Sequence, residues 1–76
     1  MNAYRITACS SGASVILYRT SRGDIVQEFA DGLSYPQLEA MIEAMVLMQR
    51  GAPAKAVETL REAFDHVQLM FVALAA

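Results

Sequence analysis

Three stretches of period-two alternation fill the first thirty residues, and clusters of turn-forming residues separate them. In "YRITAC", Tyr4, Ile6 and Ala8 alternate with Arg5, Thr7 and Cys9. Such alternation puts one set on each face of a strand. "SSGAS" follows, and then "VILYRT", β-branched and aromatic as strands prefer. Its two faces are Val15/Leu17/Arg19 and Ile16/Tyr18/Thr20. After "SRGD", where Gly23 is free to take a positive φ, "IVQEFA" sets Ile25/Gln27/Phe29 against Val26/Glu28/Ala30. The spacing predicts strands over about 3–9, 14–20 and 24–30. Loops this short join antiparallel neighbours, so the expected unit is a three-stranded meander.

Helix signals begin directly after "DGL". Ser34 is a favourable N-cap, and Gln37 stands three residues on, where its amide can reach back to form a capping box. Leu33 and Leu38 occupy the positions of a hydrophobic staple. Pro36 falls in the first turn, where a missing N–H costs nothing. A first helix is predicted over about 35–50 with Gly51 as its C′ residue, and a second, opened by Pro53, over about 53–74. The short "GAP" link makes the two an antiparallel hairpin. The expected fold is therefore one α+β domain over residues 1–76: a three-stranded antiparallel meander, then a helical hairpin on one sheet face (βββαα).

Within the second helix, Val57, Leu60, Phe64, Val67, Phe71 and Leu74 recur at intervals of 3-4-3-4-3. That spacing defines a core-facing stripe about 100° wide. Leu38, Met41, Ile42, Met45 and Met48 form the main stripe of the first helix, with Glu39, Glu43 and Arg50 on its polar face. The methionines Met41, Met45 and Met48 suit either a core or an adaptable binding surface. Four apolar residues fall outside the stripes: Leu47, Leu69, Met70 and Val72. On a helix, Leu69 would share the solvent side with Glu58, Glu62 and Asp65.

Composition sharpens the point. Of 76 residues, 55% are hydrophobic, and mean hydropathy is +0.31. A chain this short buries only about 60% of its unfolded surface, so apolar side chains are expected to remain exposed unless another chain covers them. With one cysteine, no intramolecular disulfide can form, and no Cys/His cluster has metal-ligand spacing. A net charge of −2 provides no basic footprint for nucleic acid. The start "MNAYRI" lacks the features of a signal peptide, and the C-terminal apolar run is shorter than the about 20 residues that span a bilayer. A cytoplasmic protein, where a free thiol stays reduced, is the expectation.

No constellation for catalysis is legible. Nucleophilic chemistry would need Cys9 beside His66, the only base of its kind, and nothing in the pattern brings them together. Glu39/Glu43 and Glu58/Glu62 are carboxylate pairs on solvated helix faces rather than in a cleft. "RGD" at Arg22–Asp24 sits on a hairpin tip without a secretion signal and is read as a turn. No cofactor, metal or catalytic residue is therefore assigned.

In its size, acidity and lack of a leader or catalytic set, the whole chain resembles small phage-encoded inhibitors, of which anti-CRISPR proteins are one kind. The resemblance is one of overall profile. It implies a protein that binds and blocks a partner protein. The residues lead the same way: a non-enzymatic interaction module, expected to form a homodimer, with Leu47, Leu69, Met70 and Val72 at the partner or dimer interface. The first alternative is a nucleic-acid-binding module that stacks bases on a sheet face carrying Tyr4, Arg5, Tyr18 and Arg19, and the second, ranked below it, is a small enzyme or ligand-binding domain with a rudimentary site at Cys9.

Overall fold

The computed structural model describes residues 3–72. Its elements are β1 (Ala3–Ser10), β2 (Ala13–Arg19), β3 (Ile25–Asp31), α1 (Tyr35–Gln49), α2 (Pro53–Arg61) and β4 (His66–Val72). The strands form one antiparallel sheet in the order β3-β2-β1-β4. The α+β class, the meander and the helical hairpin on one sheet face agree with the sequence expectation.

The second helix departs from that expectation. It ends at Arg61 rather than near residue 74, and residues 66–72 form a fourth strand along β1. The chain leaves α2 through a tightened turn, with Glu62 N–H donating to Thr59 O and Ala63 N–H to Leu60 O. Asp65 N–H then donates to Ser10 Oγ at 2.9 Å, which fastens the start of β4 to the end of β1. The physical reason is a choice between two patterns. Val57, Leu60, Phe64 and Val67 satisfy a helix, but Val67, Leu69 and Phe71 equally satisfy period two. Pairing with β1 satisfies an edge of backbone groups that a longer helix would leave open. Leu74, the last member of the expected stripe, lies outside the described residues.

Both ends of α1 follow the sequence signals. Ser34 N–H donates to Gln37 Oε1 at 2.9 Å, and Gln37 N–H donates to Ser34 Oγ at 3.4 Å, completing the capping box. At the far end, Gly51 adopts φ 78°, its N–H donates to Met48 O, and Ala52 N–H donates to Leu47 O. These two bonds are those of a Schellman motif. Gln37 also ties the hairpin together, its Nε2 donating to Ala63 O just beyond α2 at 3.1 Å.

The core lies between the helices and the sheet face formed by Tyr4, Ile6, Ala8, Val15 and Leu17. Ile6, Leu17, Met48, Leu60 and Val15 are its largest fully buried side chains. From α1 the core takes Ala40, Met41, Ala44 and Met48, and Ala56 from α2 is wholly buried. The small side chains Ala40, Ala44 and Ala56 let the helices pack closely. This rotates α1 from the expected arc: Met41 and Met48 are core, Met45 packs at its margin, and Leu38 and Ile42 turn outward. Among the described residues, no helix is long and apolar enough to cross a membrane.

Candidate interaction surfaces

The four residues expected on one binding face divide between two. Strand register places Tyr4 opposite Arg19, both buried beneath the helices, and Arg5 opposite Tyr18 on the open face. This corrects the expectation of a joint Tyr4–Arg5–Tyr18–Arg19 platform: neighbouring residues on a strand point to opposite sides.

Tyr4 and Arg19 have a structural task instead. Tyr4 Oη–H donates to Met48 O at 3.2 Å, and Arg19 Nε–H donates to the same oxygen at 3.1 Å. The guanidinium lies 5.9 Å from the Tyr4 ring centroid. Met48 is in the last turn of α1, where carbonyls lack intrahelical partners and the helix dipole is negative. The helix has no basic residue of its own in that turn, so a strand arginine supplies the positive charge. Burial pushes the Tyr4 phenol above its ordinary pKa of 10.0, and the nearby Arg19 charge offsets part of that rise.

On the open face, register builds three rows across the sheet. Val26, Tyr18, Arg5 and Met70 form one; Phe29, Ile16, Thr7 and Gln68 the next; Asp31, Ser14, Cys9 and His66 the third. Val26, Phe29 and Met70 are exposed. Arg5 Nη2–H points to Met70 Sδ at 3.4 Å, and Arg5 Nε is buried without a hydrogen-bond partner. Of the three rows, Arg5 is the single arginine or lysine, so this face lacks a basic track for a phosphate backbone.

Cys9 and His66 do meet, contrary to the sequence expectation: they are direct partners in the β1–β4 ladder. They line a shallow concavity of about 320 Å³ with Thr7, Arg61, Asp65 and Gln68. Their pairing depends on β4, so a helix over residues 66–72 would not bring them together. Both side chains are exposed, and no hydrogen bond joins them among the described residues. A nucleophile and base need that bond and an orienting third group. Among the described residues, no group of three or more His, Cys, Asp or Glu side chains is placed to hold a metal.

Three of the four residues expected at an interface lie on β4, and the structure separates them. Leu69 is half-buried against the core opposite Ile6, not on a solvent side with Glu58 and Glu62. Leu47 likewise packs against the core. Met70 is exposed on the open face. Val72 pairs with Ala3 at the end of the ladder. Phe71, expected in the core stripe, is 61% exposed and meets the Tyr4 ring edge-on at 5.9 Å.

Sheet order leaves β3 and β4 as the two edges. β3 carries a bulge: Ile16 pairs with Phe29 and Leu17 with Gln27, so Glu28 is the extra residue. A bulge and a charge are both devices that discourage strand addition. β4 has neither. Its seven residues pair with β1 without a register shift, and "HVQLMFV" contains no Asp, Glu, Lys, Arg or Pro.

A four-stranded antiparallel sheet with two helices on one face and the other face open defines a small two-layer α+β domain. No protein family, no curated protein and no solved structure matches this chain.

Proposed function

We propose that the protein is a non-enzymatic protein–protein interaction module that self-associates and also docks on a partner protein to block it, as an adaptor or inhibitor does. The observation that carries this reading is the free edge of β4, regular, uncharged and flanked by exposed Met70 and Phe71. Alternate residues of an edge strand direct unpaired N–H and C=O groups outward, a template for an extended segment of another chain. Main-chain hydrogen bonds supply affinity in such strand addition, and side-chain contacts at Met70 and Phe71 supply selectivity.

Capture from the native host with wild-type protein and with Phe71→Lys tests the reading. Phe71 is exposed, so the variant is expected to keep its circular dichroism spectrum while losing captured protein. Equal capture by both would refute a role for the β4 edge.

A further inference from the structure

Arg5 is a cation without an anion. It sits on the open face of β1, half-buried between its ladder partners Tyr18 on β2 and Met70 on β4. A guanidinium carries five donors in a rigid fork, which a carboxylate satisfies best. Among the described residues, Arg5 instead makes one side-chain hydrogen bond, from Nη2–H to Met70 Sδ at 3.4 Å, and a thioether sulfur is a weak acceptor. Its Nε is buried with no partner. The carboxylate in the three rows of this face, Asp31, stands two rows and two strands away, on the far edge of the sheet.

The Met70 contact also gives the fork a direction. It turns Arg5 across the sheet toward β4, whose outer edge is free. A strand added to that edge lies two strand spacings from β1, about 9.6 Å. The arginine covers the first spacing, since its guanidinium touches the β4 side chain. About 4.8 Å is left, which an aspartate or glutamate on the added strand spans to bring its carboxylate about 2.8 Å from the guanidinium nitrogens. Alternation decides which residue of that strand does so. The residue opposite Met70 projects on the open face, beside Arg5. Its two neighbours in sequence project on the other face, one beside exposed Phe71 and one beside half-buried Leu69, and both surroundings are apolar.

We infer that the β4 edge takes an extended segment in which an Asp or Glu has an apolar residue on each side, with the acidic side chain paired to Arg5. This rests on the function proposed above and names the chemistry of the partner. A neutral segment gains the main-chain bonds of strand addition alone, whereas an acidic one also supplies the acceptor that Arg5 lacks. A basic residue opposite Met70 is repelled. The β4 strand of a second copy, "HVQLMFV", has no carboxylate to offer, so the acidic segment belongs to a different protein.

Selection from a displayed library of random linear peptides on the full chain tests the inference. Enriched peptides should share an apolar–acidic–apolar triplet, and Phe71→Ser, which removes an apolar contact without adding charge, should retain them poorly. A synthetic peptide of that consensus, titrated by fluorescence anisotropy, should bind wild type about tenfold more weakly when its acid is replaced by the amide. The same replacement should change affinity for Arg5→Gln and for Met70→Glu by less than about twofold. The first variant removes the guanidinium, and the second supplies it with a carboxylate from within the chain. Because the acid-to-amide change is made in the peptide, its effect on wild type does not depend on how any variant folds. Enriched peptides that need Phe71 but share no acid, or that bind Arg5→Gln as tightly as wild type, overturn the inference and leave β4 standing as the docking edge. Enriched peptides indifferent to Phe71→Ser overturn both. No enrichment above an uncoated support overturns the inference as well, while capture from the native host reads the proposed function independently.

Discussion

Leu69 and Met70 are adjacent, and substituting each by glutamate should give opposite results. Leu69 is half-buried against the core, opposite Ile6 on the helix-covered face. Truncating a fully buried leucine costs about 2–5 kcal/mol, so a half-buried one costs about 1.5–2.5 kcal/mol. Glutamate adds the penalty of a charge, moderated here because β4 is an edge strand and the carboxylate can lean toward water. The total for Leu69→Glu is about 3 kcal/mol. At roughly 0.05–0.15 kcal/mol per residue, a 76-residue domain has about 4–11 kcal/mol to lose, so the variant is severely weakened. Met70 points to the open face and is already 43% exposed, so Met70→Glu should cost less than about 0.7 kcal/mol. Urea titration at a few micromolar reads both. With m about 1–1.5 kcal/mol/M, Leu69→Glu should lower the midpoint by about 2–3 M, and Met70→Glu by less than about 0.7 M. If Leu69→Glu cost less than about 0.5 kcal/mol, the side chain would be on the surface. Residues 66–72 would then be helical, with Leu69 beside Glu58 and Glu62, and the strand assignment would be wrong.

Other perturbations probe the supports of the fold. Tyr4→Phe removes one hydrogen bond to Met48 O and should cost about 1 kcal/mol, since Arg19 and the Gly51 N–H still satisfy that oxygen. The folded-state pKa of Tyr4 is raised, so its contribution is fully present below pH 10.0 and is lost as pH climbs through the raised value. Between pH 9 and 11 the wild-type urea midpoint should therefore fall more steeply than that of Tyr4→Phe. Gly32 has φ 66°, and a β-carbon there would collide with the Gly12 carbonyl oxygen across the loops. Gly32→Ala should cost about 3 kcal/mol or more by the same titration, and a neutral result would contradict that close approach. Fluorescence anisotropy with single-stranded oligonucleotides at low salt should give no saturable binding, because the open face retains Arg5 and Tyr18 but not Arg19 or Tyr4. Tight binding with a steep salt slope would reverse the choice between the two functional readings.

The parts of the fold legible in the sequence are those fixed by local chemistry. The capping box at Ser34 and Gln37, the positive φ of Gly51 and the three-strand alternation each depend on neighbours within a few residues. What was illegible depends on distant partners. No glycine or proline marks the end of α2, and its last turn is closed by ordinary backbone bonds at Glu62 and Ala63. Val67 fits the helical stripe and the strand equally, and only the free edge of β1 decides between them. The outward turn of Ile42 has a similar origin. Periodicity located an apolar arc on α1, but the packing of Ala40 and Ala44 against α2 set which part of that arc met the core. The strand at residues 66–72 also bears on the candidate sites, since it pairs Cys9 with His66 and turns Leu69 toward the core.

Exposure carries different meanings at the two edges of this sheet. At β3, the exposed Val26 and Phe29 flank a strand bent by a bulge at Glu28 and bounded by Asp24 and Asp31. Those features oppose strand pairing. At β4, the strand is regular and uncharged, and the only polar side chains in it are His66 and Gln68. A monomer gains no stability from leaving such an edge unprotected, and it incurs an aggregation hazard. The asymmetry is intelligible if the β4 edge, unlike β3, is kept for an extended segment of another chain.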